Sequence, residues 1–259
     1  MALLNIKEQR PTNDWSFARI GYKNVLTASS LTAAFPVLLP NTWERWESAS
    51  GTMQARFQPA GASVVNYVAL AAHNLFSAGV TTVTIELSKT LNASFFVVAS
   101  FKPQSDKPIF IEIPDQTGIV DCRITITGGT NRELGVLYAG KSLIMCRGIF
   151  GGHSPINLSS VTEYRNAMSD SGQFLGRRIR RKGQQSQFAW ANIPDIWYRE
   201  SFQPFVESAK INPFFIQWRP DFYSNEVAFG YTTGDITPSN QSGTTRLMAV
   251  NFQMRAHDE

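Results

Sequence analysis

Three histidines are the side chains of this chain best suited to acid–base or metal chemistry: His73, His153 and His257. Catalysis requires such a group beside a nucleophile or a second acid–base residue in a preorganised site. No serine-hydrolase, zinc-protease or phosphate-loop motif surrounds them, and GGHS at 151–154 is an isolated glycine-rich turn. We therefore predict no catalytic residue, no cofactor-binding residue and no metal ligand, and we expect a protein that is not an enzyme.

Two tryptophans suggest a different chemistry, the binding of a sugar. Trp43 and Trp46 stand in WERWE, where Glu44 and Glu47 place carboxylates beside the rings. A glycan site would need Trp43, Trp46 or His73 exposed at a loop. The alternative is that the tryptophans pack in the core, as large aromatic side chains usually do, and that His73 is a structural hydrogen-bonding residue.

The sharpest charge feature is GRRIRRKG at 176–183, in which five cations stand between two glycines. In a strand, alternate residues point to opposite faces. Arg178, Arg180 and Lys182 would then share one face, and Arg177, Ile179 and Arg181 the other. Charge on both faces does not suit a central strand of a closed core. We expect this strand to project from its sheet or to meet a neighbouring subunit.

We predict that the cations of this run form an assembly interface: Arg177, Arg178, Arg180, Arg181 and Lys182. Two alternatives stay open, a contact with nucleic acid and a solvated strand. Proteins that bind single-stranded nucleic acid combine cations with aromatic rings on which bases stack. Here the nearest aromatic residues, Phe174 and Phe188, lie outside the run, which argues against a nucleic-acid partner.

Composition describes a folded chain with almost balanced charge. The 259 residues include 24 Lys and Arg against 20 Asp and Glu, and 43% are apolar. The basic run is therefore a local patch and not the broad basic face of a dedicated nucleic-acid binder. No stretch of about 18 apolar residues occurs, so no membrane span is predicted.

Strands are predicted through most of the chain, so the expected fold is mainly β. Apolar residues alternate with polar ones at 83–87, 122–127 and 248–254, the period of a half-buried strand. The segment FFVVASF at 95–101 is continuously apolar, which predicts a strand covered on both faces.

One helix is predicted near 201–210, after a turn near 195–200. Five apolar residues would share one helical face and lie in the core: Tyr198, Phe202, Phe205, Val206 and Ala209. Pro204 is compatible with a helix only in its first turn. A second, weaker helix is predicted at 159–168.

Residues 43–88, with the strands that follow through GIVDCRITITGG at 118–129, resemble galactose-binding-like jelly rolls of the discoidin type. The motif that carries the resemblance is YVALAAHNL at 67–75, an apolar strand that leads to an HNL turn and then to a glycine and a paired strand. The resemblance implies a β-sandwich at 41–147. Such a domain either binds sugars through its loops or serves as a packing module.

Residues 172–259 resemble the tail-tube and distal-tail proteins of long-tailed bacteriophages. The order of elements carries the resemblance, together with the stretches PFFIQWRPD at 213–221 and GYTTGDI at 230–236. It implies a tail-tube-like β-barrel or sandwich with one flanking helix at 148–259, which forms a ring, expected to be hexameric. Residues 1–40 are expected to pack with that domain, so the jelly roll would be an insertion.

The resemblances together imply a structural component of a siphophage tail tip or baseplate, present in the virion and made in the host cytoplasm. Its partners would be further copies of itself, other tail proteins such as the tail tube and the hub, and a host glycan if the jelly roll keeps a sugar site. The alternative function is a carbohydrate-binding module that recognises host surface glycans. Nucleic-acid binding is a further alternative.

Overall fold

The structure is a computed structural model that describes residues 17–22, 26–30, 39–59, 63–91, 93–149, 151–241 and 246–257. These residues contain 17 strands and little helix. The strands are β1 Arg19–Tyr22, β2 Leu26–Ser30, β3 Trp46–Ser48, β4 Met53–Pro59, β5 Ser63–His73, β6 Val80–Ser88, β7 Phe96–Phe101, β8 Ile109–Ile119, β9 Asp121–Gly128, β10 Arg132–Gly140, β11 Leu143–Ile144, β12 Ser160–Met168, β13 Phe174–Pro194, β14 Phe214–Gln217, β15 Val227–Thr232, β16 Pro238–Asn240 and β17 Leu247–Ala256. A short 3-10 helix, Ile156–Leu158, precedes β12.

Two antiparallel sheets pack face to face as a β-sandwich. One has the strand order β2-β4-β9-β6-β7, and the other has the order β3-β10-β5-β8. The predicted alternation at 83–87 and 122–127 is confirmed, because Val83 and Ile85 of β6 are buried beside Ile124 and Ile126 of β9. One face of each strand therefore contributes to the core between the sheets.

The remaining strands form an eight-stranded antiparallel sheet, which we call the large sheet. Its order is β11-β1-β14-β15-β17-β13-β12, and β16 pairs with β17. Of the predicted N-terminal segment 1–40, β1 lies in the large sheet and β2 lies in the sandwich. The strands at 160–256 all belong to the large sheet. The domain boundaries at 40 and 147 stay a prediction.

A continuous helical segment covers one face of the large sheet, as expected for a mainly β fold with one flanking helix. It consists of α1 Asp195–Trp197, a π-helical turn Tyr198–Phe202 and α2 Gln203–Ala209. All five residues predicted to share a face are buried in the core. The helical segment begins earlier than the predicted 201–210. Pro204 lies in the first turn of α2, where a backbone N–H is not required, and the π-helical turn connects that position to α1.

An apolar seam, composed mainly of aromatic rings, joins the sandwich to the large sheet. Tyr67, Phe110 and Tyr138 of the four-stranded sheet pack in one cluster with Phe215 and Phe229 of the large sheet. The Tyr67 and Phe110 rings stack with centroids 5.0 Å apart. The Tyr138 hydroxyl donates a hydrogen bond to the Pro213 carbonyl at 3.0 Å. Burial of this area stabilises the contact between the two parts.

An ion pair crosses the same boundary. Arg19 of β1 is 1% exposed, and its Nε donates to Glu112 Oε1 of β8 at 3.0 Å. Its Nη1 donates to the Phe17 carbonyl at 2.8 Å. A buried guanidinium needs such partners, because an unpaired buried charge is strongly destabilising.

Two predictions about single elements are wrong. The segment 95–101 is not covered on both faces, because β7 is an edge strand and Val97 is 58% exposed. The segment 159–168 is not a helix but strand β12, paired along its length with β13. Its helical periodicity is weak, and the cross-strand partner decides its conformation.

Candidate functional site

The basic run lies on a two-stranded ribbon that extends beyond the large sheet. Strand β13 pairs with β17 only from Gln184 onward, whereas β12 pairs with β13 as far as Met168 and Phe174. Residues 162–182, which we call the ribbon, therefore have no third strand. A turn closes it, with the Ser169 amide donating to the Gln173 carbonyl at 2.9 Å. Most ribbon residues are exposed on both faces.

Apolar side chains on the ribbon are exposed to an unusual degree. Phe174 is 61% exposed and Leu175 is 66% exposed. Tyr164, Met168 and Ile179 are about half exposed. A group of exposed apolar residues on one projecting element is typical of an interaction surface.

The ribbon cations differ in how they are held. Arg180 Nη1 lies 3.0 Å from Glu163 Oε1. Arg177 donates to Asn166 Oδ1 at 2.8 Å, and its guanidinium lies 4.5 Å from the centre of the Tyr164 ring. Arg178 has no such partner within the described part of the chain, and the residue directly opposite it is another cation, Arg165.

A β-bulge modifies the predicted division of these cations between two faces. Glu163 pairs with Arg181 and Tyr164 pairs with Ile179, so Arg180 has no facing residue. The strict alternation predicted for Arg178, Arg180 and Lys182 is therefore interrupted at Arg180.

The base of the ribbon forms one wall of a cleft of about 380 Å³. The loop before β3, which carries Trp43, also lines it. We call this the Trp43 cleft. Its polar and aromatic lining comes from four segments and includes Trp43, Arg181, Lys182, Tyr231, Arg255 and His257. Two of the five predicted assembly residues, Arg181 and Lys182, thus lie beside one of the predicted glycan-site residues.

Local hydrogen bonds and close strand packing fix the walls of the cleft. Asn41 Oδ1 accepts hydrogen bonds from the Trp43 and Glu44 amides at 3.1 and 2.9 Å, which holds the loop. On the large sheet, β15 and β17 approach so closely that a Cβ at Gly230 would lie 2.1 Å from the Arg255 carbonyl oxygen. The His257 amide then donates to the Phe229 carbonyl at 2.9 Å.

The three predicted glycan-site residues do not form one cluster. Trp43 is 91% exposed, so the expectation that it packs in the core is wrong. Trp46 is 6% exposed in β3 and His73 is 3% exposed in β5. Neither is accessible to a glycan in solution, so both must be removed from the predicted site.

Burial also changes the acid–base behaviour of His73. Desolvation lowers its pKa to about 4, and the nearby Asp106 carboxylate offsets only part of that effect. The imidazole is therefore neutral near neutral pH and belongs to the structure of the sandwich.

Tyr231 and Arg255 were not singled out by the sequence, although both line the Trp43 cleft. They reach Arg181 and Lys182 only because β17 pairs with both β13 and β15. Spacing along the chain gives no sign of this arrangement. The one available signal was a tyrosine at the end of an apolar strand, in GYTTGD.

The described ranges contain no group of three or more His, Cys, Asp or Glu side chains placed to hold a metal ion. None of the described helical segments has the length and apolar character of a membrane-crossing helix.

No protein-family model matches the chain, and no curated protein matches it. Several solved structures are similar in fold. The F5/8 type C domain of a Bacteroides fragilis protein has 10% identity and a TM-score of 0.38, with 46% of this chain and 95% of that chain covered. Chitosan-binding module 1 of a Paenibacillus sp. IK-5 chitosanase/glucanase has 17% identity and a TM-score of 0.37, with 47% and 97% covered. A Clostridium perfringens CBM32 module in complex with GalNAc-β-1,3-galactose has 12% identity and a TM-score of 0.38, with 45% and 94% covered.

Each match spans less than half of this chain. The fold class itself is mainly β, with a two-sheet sandwich and one flanking helix. The tail-protein part of the sequence resemblance stays a prediction.

Proposed function

We propose that this protein is a structural subunit that assembles through the ribbon, as a component of a bacteriophage tail tip or baseplate. The observation that supports this most directly is the exposure of apolar and cationic side chains on a two-stranded extension. A two-stranded hairpin alone is only marginally stable in water. Contact with a neighbouring protein would bury Phe174, Leu175 and Ile179 and complete the pairing of the β12 edge.

The positive charge of the ribbon favours contact with an acidic surface and not with a second ribbon. Arg165 lies directly opposite Arg178, and like charges across a strand pair destabilise it. An acidic surface on the neighbour would offset this repulsion. Two ribbons would instead bring their cations together, so the contact joins unlike surfaces. When one surface of a subunit binds a different surface of the next subunit, the subunits form a closed ring if the rotation between them divides a full turn evenly. The hexameric ring and the place in a tail rest on the sequence resemblance.

Reversal of charge at Arg178 tests the proposal. Arg178→Glu would place a carboxylate opposite Arg165, so the ribbon itself should stay paired while its outward charge changes. Light scattering over a range of protein concentrations should show a ring-sized native species and its loss in the variant. Lys89→Glu makes the same charge change at an exposed site outside the ribbon and should assemble normally. A native chain that stays monomeric at every concentration would reject self-assembly.

A second candidate function is saccharide binding, favoured by a different observation. Trp43 is 91% exposed, on a loop held by Asn41 and beside a cleft. An exposed indole held in place offers a flat apolar surface to the CH face of a sugar ring. Calorimetric titration with a saccharide panel tests this function. Trp43→Ala should abolish binding, and Phe76→Ala, which removes another exposed aromatic ring, should not. Absence of binding across the panel would reject it.

A further inference from the structure

We infer that the Trp43 cleft binds an acidic saccharide, one whose sugar rings carry carboxylate groups. This inference rests on the saccharide-binding function proposed above and narrows it to a ligand class and a set of residues. It also gives Arg181 and Lys182 a role separate from that of the outer ribbon cations.

The aromatic component of the site is set by two side chains of unequal exposure. Trp43 is 91% exposed on one wall, and Tyr231 is 45% exposed in β15 on the other side. The fold leaves Trp43 almost uncovered and Tyr231 about half exposed. A pyranose has an apolar face of CH groups and a polar rim of hydroxyls. The Trp43 ring is available to the apolar face, and the Tyr231 hydroxyl to the rim.

Charge in the cleft selects for an acid. Three cations line it: Arg181, Lys182 and Arg255. Within the described part of the chain none of them forms an ion pair with a carboxylate. Arginine binds a carboxylate through two parallel hydrogen bonds, and lysine adds a compact charge. A neutral sugar would leave three cations close together without a counter-charge.

The size of the cleft favours a saccharide over a nucleic acid as its ligand. Its volume of about 380 Å³ lies near the lower end of the range of small-molecule sites, about 300–1,000 Å³. Single-stranded nucleic acid needs a basic groove that follows its backbone over roughly 4–16 nucleotides, with several stacking rings. A cleft of this volume, lined by Trp43, Phe229 and Tyr231, suits a short stretch of an acidic glycan.

The test uses the full chain with two probes that share one sugar backbone and differ in charge, trigalacturonic acid and its trimethyl ester. Isothermal titration should show that the acid binds and that the ester binds about tenfold more weakly, the loss expected for one charge-assisted contact. Lys182→Gln should weaken binding of the acid about tenfold and leave binding of the ester unchanged. Lys89→Gln removes a cation outside the cleft and should change neither affinity. Trp43→Ala should abolish binding of both probes.

Each other outcome has a defined meaning. Equal affinity for acid and ester, with loss of both in Trp43→Ala, keeps saccharide binding and overturns the preference for acids. No binding of either probe, while a neutral saccharide of the panel binds, also overturns it. No binding of any saccharide overturns the function and the inference together. Tight, salt-sensitive binding of oligothymidylate that depends on Trp43 would assign the cleft to nucleic acid instead.

Two carboxylates next to the cleft in sequence need their own control. Asp258 and Glu259 follow His257 and lie outside the described residues. The double variant Asp258→Asn/Glu259→Gln should bind the acid at least as tightly as the native chain. Weaker binding in this variant would show that these carboxylates take part in the site, which contradicts selection for an acid by cations alone.

Discussion

The two halves of β13 are one continuous strand with opposite surroundings. Residues 184–194 pair with β17 on one side, and on the other side only Gln184 pairs with β12. Phe188 and Trp190 of this half are buried in one core cluster with the helical segment. In residues 174–182 it pairs with β12 alone, and both of its faces are exposed. The inner half alternates buried residues with more exposed ones because one face meets a core. The outer half carries cations and exposed apolar residues because no core is present.

This difference shows that the core of the large sheet does not account for the length of β13. The inner half is fixed by packing within the chain. The outer half gains nothing from that packing, and in the function proposed above its exposed residues contact a neighbouring protein. Substitutions in the inner half should therefore lower the free energy of unfolding, whereas substitutions in the outer half should weaken assembly.

The largest effect is expected from Phe188→Ala in the inner half. Phe188 is fully buried, with its ring centroid 5.8 Å from that of Phe252. Removal of the ring should lower the free energy of unfolding by about 3–5 kcal/mol, from lost burial and from the cavity that remains. Chemical denaturation measures this change. A loss below about 1 kcal/mol would contradict the assignment of this half to the core.

The pH dependence of stability should come from packed groups such as His73 and not from the arginines of the ribbon, which stay charged. Burial lowers the pKa of His73 from 6.5 to about 4. The folded state therefore resists protonation, while the unfolded state takes up a proton as the pH falls below about 6.5. The contribution of neutral His73 is complete above that pH and declines as the pH falls toward 4. The expected loss is about 3 kcal/mol.

A comparison of variants isolates that contribution from the titration of carboxylates. The native chain should lose about 3 kcal/mol more than His73→Gln when denaturation curves at about pH 7 and pH 4 are compared. Gln187→Ala, which changes an exposed side chain that does not titrate, should follow the native chain. If all three proteins lose the same free energy of unfolding between these two pH values, His73 is not held neutral in the folded state.

A smaller effect is expected at the seam between the sandwich and the large sheet. Tyr138→Phe keeps the ring against Phe215 and removes the hydroxyl that donates to the Pro213 carbonyl at 3.0 Å. The free energy of unfolding should fall by about 1 kcal/mol, the net value of such a hydrogen bond. Tyr164→Phe makes the same change on the ribbon, where the ring is 49% exposed, and should have no measurable effect. Equal losses in both variants would remove the contrast between buried seam and exposed ribbon.

The sequence predicts an element correctly where a local pattern sets its conformation, and it fails where pairing with a distant segment sets that conformation. The strands at 83–87 and 248–254 were predicted because their apolar face meets a core, and the helical face around Phe205 for the same reason. The prediction of a helix at 159–168 is wrong because the pairing of this segment with β13 is not visible in its own residues. Likewise the Trp43 cleft could not be predicted, since its walls come from five separate segments.

The smallest effect on stability, and the most informative one for function, is expected from Phe174→Ala. It repeats the Phe188→Ala substitution in the same strand, but Phe174 is 61% exposed. The free energy of unfolding should change by less than about 0.5 kcal/mol, as for other exposed sites. If the ribbon is the assembly contact, the same substitution should weaken self-association in light scattering, because the ring would be buried only in the assembled state. Unchanged stability with unchanged association would show that exposure of this ring serves no contact between copies of the chain.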